Sequence, residues 1–419
     1  MYRRMTICRL CSATYANGLE SILNLGTQSF TGVFPRDRSQ PVSSGPLELV
    51  KCRCCGLVQL AHSFDLNQLY GHNYGYRSGL NLSMVHHLRG KAEDLVKRYQ
   101  PQKGDLIIDI GSNDCTMLRS YPEGEFTLLG IDPSGAKFKD YYPPSVQLIP
   151  DFFSAFLVKK HVGNKRAKII TSIAMFYDLE DPVGFAQEIA DMLADDGVWL
   201  FEQSYLPAML NTVSYDTVCH EHLEYYALKQ IKWITDATGL KIVDVTTSGT
   251  NGGSFSITAA KSDSPYLECT KIISSMLADE ERQGLSTLAP YQAFDQKVRE
   301  HRDDLIRLVK DLKGQGKKVF GYGASTKGNV LLQYCGFTTE DIPYIAEVNE
   351  DKFGSYTPGT NIPIISETEA RALKPDYFLV LPWHFRGGIV EREKSFLESG
   401  GKILFPLPRI EVVSSEANT

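Results

Sequence analysis

Asp105-Leu106-Ile107-Ile108-Asp109-Ile110-Gly111-Ser112-Asn113-Asp114 is the stretch whose reading decides the fold. A short run of branched apolar residues, closed by glycine, fits a buried strand better than a helix. Glycine where a strand turns into a helix lets the backbone approach a ligand closely, as in nucleotide-binding α/β sheets. The order of the downstream segments strengthens this reading. A second strand over 126–131 ends in Asp132, placed where an acidic side chain accepts both hydroxyls of a ribose. Asp151-Phe152-Phe153 then suits an adenine edge with aromatic packing. A buried strand is expected over 168–172, a helix over 183–193, and a turn at 194–197 leading into a strand over 198–202. Upstream, after a tyrosine-rich stretch at 70–76, the apolar spacing predicts a helix over 82–99.

This succession resembles class I S-adenosylmethionine methyltransferases. The resemblance implies that S-adenosylmethionine is held by Asp109, Gly111, Asn113, Asp132, Asp151 and Phe152. The third glycine of G-x-G-x-x-G is missing, so NAD is a poorer fit. A cofactor-free α/β core is the plainer alternative.

The bulk properties set limits. The chain has 419 residues, 42% hydrophobic and 22% charged, which is ordinary globular composition and enough for two or three cores. No apolar run approaches the roughly 18 residues of a membrane span, and MYRRMTICRL lacks a signal peptide's apolar stretch. A soluble, cytoplasmic protein with no membrane partner is therefore expected. A net charge of -6 offers no overall basic field for nucleic acid.

Five of the nine cysteines fall within the first 55 residues. Cys8-x2-Cys11 and Cys52-x2-Cys55 are two short knuckles, a pattern that suits tetrahedral zinc and the joining of distant chain segments. Cys54 is a spare thiol within the second knuckle. No histidine or carboxylate stands close enough to suggest an open catalytic site, so the zinc is expected to be structural. Residues 55–60 read as a turn into a strand.

Residues 215–226, Tyr-Asp-Thr-Val-Cys-His-Glu-His-Leu-Glu-Tyr-Tyr, are dense in groups that move or steer protons. The histidines stand at i and i+2, so the segment is not the H-E-x-x-H of zincins. A polar surface turn is the plainer reading.

Residues 266–313 carry charge and Leu/Ile at helical spacing and read as long connecting helices. A strand over 318–320 then opens into Gly321-Tyr322-Gly323-Ala324-Ser325-Thr326-Lys327-Gly328-Asn329. Backbone amides, the Ser325 and Thr326 hydroxyls and the Lys327 charge suit a diphosphate at a helix N-terminus. G-x4-G-K-[ST] is absent, so this is not a P-loop. Further strands at 344–349 and 376–381 suggest a second Rossmann-like unit, with His384 at a strand end as either a packed side chain or a sugar ligand. Asn251-Gly252-Gly253 precedes a strand at 255–258 and is read either as a tight turn or as a ligand contact.

Taken together, Cys8-x2-Cys11 with Cys52-x2-Cys55, residues 109–114, 151–153, Glu221-His222, Asn251-Gly252-Gly253 and Gly321-Tyr322-Gly323-Ala324 resemble, in the same order, the sugar C-methyltransferases of branched deoxysugar biosynthesis. The resemblance spans nearly the whole chain. It implies an α/β protein with a zinc-binding domain (1–72), a central class I methyltransferase domain (73–262), a helical connection (263–315) and a C-terminal Rossmann-like sugar-nucleotide domain (316–412). It further implies methylation at C3 of a dTDP- or GDP-linked 4-keto-6-deoxy-sugar. His222 is then the base, with Glu221 orienting its ring and favouring the imidazolium, and Tyr76 hydrogen-bonds the enolate oxygen. The sugar nucleotide lies against Tyr74, Asn251, Gly252, Gly253, Gly321, Tyr322, Gly323, Ser325, Thr326, Lys327 and His384.

Two positions depart from the family pattern. Asp178 stands where a histidine is usual, and Cys219 where a tyrosine is usual. Tyr177, Asp178 or His220 are candidates for the displaced roles, while Asp178 is equally a candidate cap for the helix near Pro182. O-methylation of a sugar or other small metabolite is the alternative chemistry. A zinc-containing binding module with a non-catalytic methyltransferase fold is the alternative class.

Overall fold

The computed structural model describes residues 2–14, 18–69 and 76–415. Its N-terminal part holds β1 (Tyr2–Arg4), β2 (Leu19–Ser29), β3 (Ser44–Cys52), β4 (Val58–Leu60) and β5 (His62–Phe64). Strands β1 and β5 pair with each other, while Cys52 closes β3 and Cys55 sits in the turn before β4.

Helix α1 (Leu82–Tyr99) comes next, its start fixed by Asn81, whose side chain accepts from Ser83 N. Met84, Leu88, Ala92, Leu95 and Tyr99 form its buried stripe, at the three- and four-residue spacing of one helix face.

The central sheet comprises β6 (Leu106–Ile110), β7 (Thr127–Ile131), β8 (Val146–Ile149), β9 (Ala167–Ile173), β10 (Leu193–Ser204), β12 (Leu240–Ser248) and β13 (Ser254–Lys261), in the order β12-β13-β10-β9-β6-β7-β8. Every residue of β6 is buried, as a central parallel strand covered on both faces requires. Strands β8, β7, β6, β9 and β10 are parallel, and β13 runs antiparallel between β10 and β12. The strand order reverses between β6 and β9, which opens a crevice at their carboxyl ends.

Strand β11 (Glu224–Tyr225) leaves this unit. It pairs antiparallel with β4, so the four-stranded N-terminal sheet runs β11-β4-β3-β2.

After helices α2 (Thr270–Arg282) and α3 (Ala289–Gly314), the last sheet is built from β14 (Val319–Tyr322), β15 (Ile345–Glu347), β16 (Ile364–Ser366), β17 (Tyr377–Val380), β18 (Lys402–Phe405) and β19 (Glu411–Val413). Its order is β16-β15-β14-β17-β18-β19, with β19 antiparallel at one edge. Helix α4 (Thr326–Cys335) succeeds β14 directly. The architecture is thus the expected α/β one, with two Rossmann-like sheets and an N-terminal cysteine cluster. Among the described residues no helix is long and apolar enough to cross a membrane.

One expectation fails locally. The helix Pro182–Met192 is capped by Asp181, whose carboxylate accepts from Gly184 N at 2.9 Å, and not by Asp178. Proline is favoured at the first helical position, which makes the residue before it the cap.

Candidate active site

The Sγ atoms of Cys8, Cys11, Cys52 and Cys55 all lie within 4.8 Å of one another. Cys8 and Cys55 are 3.5 Å apart, and Cys11 and Cys52 3.6 Å. Zinc with thiolates at about 2.3 Å in a tetrahedron places its sulfurs about 3.8 Å apart, so the donor set fits that ion. Four thiolates leave no open position, and Cys54 is exposed, outside the cluster.

At the end of β6, Gly111 adopts φ +76°, and a Cβ there would stand 3.2 Å from the Met175 side chain. Asn113 N donates to Asp132 Oδ2 at 2.8 Å, while Asp132 Oδ1 accepts from Ser134 N and Oγ at 2.7 and 2.5 Å. Burial raises the Asp132 carboxyl against these donors. A glycine turn without a side chain, beside an acidic strand end, fits a nucleoside cofactor such as S-adenosylmethionine.

Asp109 is placed differently from the sequence expectation. Its carboxylate is buried in the sheet and accepts from Thr171 Oγ1 at 2.6 Å, and burial pushes it up to about 7. It braces the strand end from within. Asp151 and Phe152 lie exposed just beyond β8.

The segment after residue 75 is tied to the cofactor loop. Ser78 N donates to Asn113 Oδ1 and Gly79 N to Asp114 Oδ2, both at 3.0 Å, and Asn113 Nδ2 donates to the Tyr76 carbonyl at 3.2 Å. The Tyr76 residue itself is 45% exposed. Tyr74 lies outside the described residues.

His222 lies against Tyr177, in the segment that follows β9. Its Nδ1 is 2.7 Å from the Thr217 carbonyl oxygen, and its ring centroid is 4.2 Å from that of Tyr177. A carbonyl only accepts, so Nδ1 carries the hydrogen and Nε2 keeps its lone pair. Burial first, and then the Lys327 charge, hold the imidazole down to about 3. This corrects the expectation that Glu221 orients the ring and favours the imidazolium: Thr217 orients it, and burial and Lys327 disfavour the imidazolium. Glu221 Oε1 lies instead against the N-terminal module, 2.7 Å from where a Cβ on Gly32 would stand. Burial raises the Glu221 carboxyl.

His220 is turned away from the crevice. It is fully buried, with Nε2 3.2 Å from the Gly45 carbonyl and its ring 4.8 and 4.7 Å from Phe30 and Phe64. Burial lowers it to about 4. This packing withdraws it from the proton chemistry considered for it. Asp178 does belong to the neighbourhood: burial, then the Glu221 and Asp178 carboxylates, raise the Cys219 thiol. The two departures from the family pattern are therefore neighbours in space.

From the C-terminal sheet, Lys327 in the first turn of α4 reaches into the crevice, its Nζ donating to the Asn251 carbonyl at 3.0 Å. Its charge acts on Asp216, His222 and His384. Asp216 Oδ2 accepts from Trp383 Nε1 at 2.8 Å, while Oδ1 is buried without a protein partner, as is His384 Nδ1. Gly252, at φ +90°, is pressed against the Trp383 ring, 2.9 Å from where its Cβ would be. Gly253, at φ +124°, is pressed similarly on Ala208. Asp216, Thr217, Trp383 and Gly32 were not singled out from sequence, although the first three lie inside or beside stretches that were.

The glycine-rich turn divides into two parts. Gly321 sits in β14, where a side chain would collide with Ile345, and Gly323, at φ +82°, turns beneath Pro382. Tyr322 is buried, and its hydroxyl donates to Glu393 Oε1 at 2.8 Å and accepts from Arg392 Nε at 2.9 Å. Gly321 and Tyr322 therefore serve packing, contrary to the expectation of ligand contact. Ser325 caps α4, its Oγ accepting from Gly328 N at 3.0 Å. Thr326 and Lys327 face the junction with Gly32, Glu221 and Asn251.

Similarity to known proteins agrees with this layout. Three family models match in sequence: a "Putative zinc binding domain" over residues 8–70, a methyltransferase domain over 84–245, and a C-methyltransferase C-terminal domain over 249–408. The C-methyltransferase NovU of Streptomyces niveus is 32% identical over 374 residues, covering 89% of this chain and 88% of that protein. Among solved structures, the plantazolicin methyltransferase BpumL is 15% identical with a TM-score of 0.35, covering 44% of this chain and 87% of its own. An S-adenosylmethionine-dependent methyltransferase from Clostridium acetobutylicum is 12% identical with a TM-score of 0.34, covering 42% and 92%. The chain belongs to the C-methyltransferases that carry a zinc-binding module and use S-adenosylmethionine.

Proposed function

We propose that the acceptor is a nucleoside-diphosphate-linked 4-keto-6-deoxy-sugar, linked to thymidine or guanosine, and that the methyl group goes to C3, beside the ketone. The observation that carries this reading is the pairing of a neutral, Nδ1-anchored His222 with a cation, Lys327, from the glycine-rich turn of the second sheet. A carbon beside a ketone is acidic enough for a positioned imidazole to deprotonate, with Tyr76 as the hydrogen-bonding partner of the enolate oxygen, while Lys327 offers its charge to the diphosphate.

S-adenosylmethionine supplies the electrophilic methyl group. The chain's residues do the rest. Gly111, Asn113 and Asp132 hold the nucleoside, with Asp151 and Phe152 at the adenine. His222 Nε2 takes the C3 proton, and Tyr76 steadies the enolate oxygen. Thr326, Lys327 and the α4 N-terminus take the diphosphate. A diphosphate on Lys327 offsets one of the two causes of the low proton affinity of His222, so substrate binding strengthens the base. Asp216, Asn251, His384 and the Gly252-Gly253 turn line the sugar pocket, with Asp178, Tyr177 and Glu221 on its other side.

The test is incubation with S-adenosylmethionine and a panel of dTDP- and GDP-linked 4-keto-6-deoxy-hexoses, then mass spectrometry of the nucleotide sugars. Gain of one methyl group by a panel member supports the reading and names the nucleotide. No gain by any member, with cofactor binding demonstrated, refutes it.

A further inference from the structure

The reacting segment is built onto the zinc module. Strand β11 begins two residues after His222 and is the edge strand of the module's sheet, with Glu224 opposite Gln59 and Tyr225 opposite Val58. Leu60 N donates to the Leu223 carbonyl at 2.8 Å, continuing that ladder toward His222. Strand β4, which receives β11, starts three residues after Cys55. Across the second knuckle, Gln230 Nε2 donates to the Cys55 carbonyl at 2.9 Å.

The first knuckle makes the more pointed contact. Arg9 lies between the ligands Cys8 and Cys11, and its side chain is fully buried. It donates to the Leu60 carbonyl at 2.8 Å, the His62 carbonyl at 3.2 Å and Ser63 Oγ at 2.9 Å. Its Nε stands 3.5 Å from a carboxylate oxygen of Glu224 and 3.5 Å from one of Glu180. A rigid, planar guanidinium locked by carbonyls on one edge is suited to fixing a carboxylate on another. The cofactor loop is held by other groups: Asp132, Ser78, Gly79 and Arg77.

We infer that Arg9 is a positioning residue that ties the metal knuckle, through Glu224 and β4, to the segment carrying Glu221 and His222. The zinc ion then fixes the geometry of the reacting segment, and the cofactor pocket stands independently of it. This rests on the assignment of His222 to the reaction.

The experiment uses the full chain with Arg9→Met and Arg9→Lys. It measures zinc content, S-adenosylhomocysteine affinity by calorimetry, hydrogen exchange of the 220–226 amides, and methyl transfer. For Arg9→Met the expected result is full zinc occupancy and cofactor-product affinity within about threefold. Exchange over 220–226 rises about tenfold, and kcat falls about 100-fold with KM little changed, as for a reacting group displaced by a fraction of its bond reach. Arg9→Lys recovers part of both losses. Unchanged exchange and kcat in Arg9→Met, or cofactor-product affinity falling in step with kcat, overturns the inference.

Should Arg9→Met not accumulate as folded protein, stripping zinc from the unmodified chain gives the same readouts. Faster 220–226 exchange with retained cofactor-product binding supports the inference, and unchanged exchange or joint loss refutes it. Exchange is read with no sugar present, so its outcome is separate from any failure of the proposed acceptor.

Discussion

Nδ1 of His222 stands 2.7 Å from the Thr217 carbonyl oxygen, a contact that orients the imidazole with a hydrogen on Nδ1 and, while burial and Lys327 disfavour its protonation, leaves the lone pair to Nε2. Replacing this ring by an amide removes the base proposed for the reaction and leaves the residues around Gly111 and Asp132 in place. His222→Asn is expected to lower kcat by about 10²–10⁴-fold while S-adenosylmethionine affinity is unchanged. Steady-state methyl transfer and cofactor calorimetry check both halves, and near-normal turnover would remove His222 from the reaction.

Burial lowers His220 to about 4, and burial together with Lys327 lowers His222 to about 3, both below the ordinary imidazole value near 6.5. Between those values and about 6.5 the unfolded chain binds protons at these two rings that the folded chain refuses, so the two rings contribute a stability that rises with pH across this window, opposed by the Asp109 carboxyl raised to about 7. The share that His222 holds is read as the difference between the melting temperatures of the unmodified protein and His222→Asn as the pH is lowered from 7 to 5. His222→Asn should fall less steeply than the unmodified protein, and parallel curves would contradict the proton assignment.

Lys327 belongs to the C-terminal sheet yet binds the Asn251 carbonyl and acts on His222. Lys327→Met should raise KM for the sugar nucleotide by about tenfold or more, the scale of a lost charge-assisted hydrogen bond, without altering cofactor affinity. Calorimetry with each ligand separately decides it. An unchanged sugar-nucleotide affinity would take the diphosphate away from α4.

Gly111 is needed for two reasons at once, a φ of +76° and the closeness of Met175. Gly111→Ala is expected to cost about 1–3 kcal/mol of local backbone strain and to weaken S-adenosylmethionine binding by about tenfold or more. Calorimetry reads the affinity, and a melting curve shows whether the fold survives. Unimpaired binding would place the cofactor elsewhere.

Much of the fold was legible because it arises from local pattern. Helix α1 carries its apolar stripe in the sequence, the central strands are short apolar runs buried on both faces, and two C-x2-C knuckles leave few alternatives to zinc. What escaped was set by pairing between distant segments. Nothing in residues 58–60 or 224–225 announces that they share a sheet, and the fates of Glu221 and His220 depend on that pairing. The orientation of His222 by the Thr217 carbonyl depends on a turn that no periodicity reveals. Two misplacements did carry a readable signal. Pro182 marks Asp181 as the cap, and strand alternation places Tyr322 on the face of Phe320, inside the core.

The most direct test of proton removal from carbon is solvent exchange without methyl transfer. The protein is incubated in D2O with S-adenosylhomocysteine and the proposed acceptor, a nucleotide-linked 4-keto-6-deoxy-sugar, and the sugar is monitored by NMR. Deuterium entering at C3, and its disappearance in His222→Asn, is the predicted result. Methyl transfer to that sugar with no deuterium at the carbon beside the ketone, or deuterium entry undiminished in His222→Asn, would contradict the account.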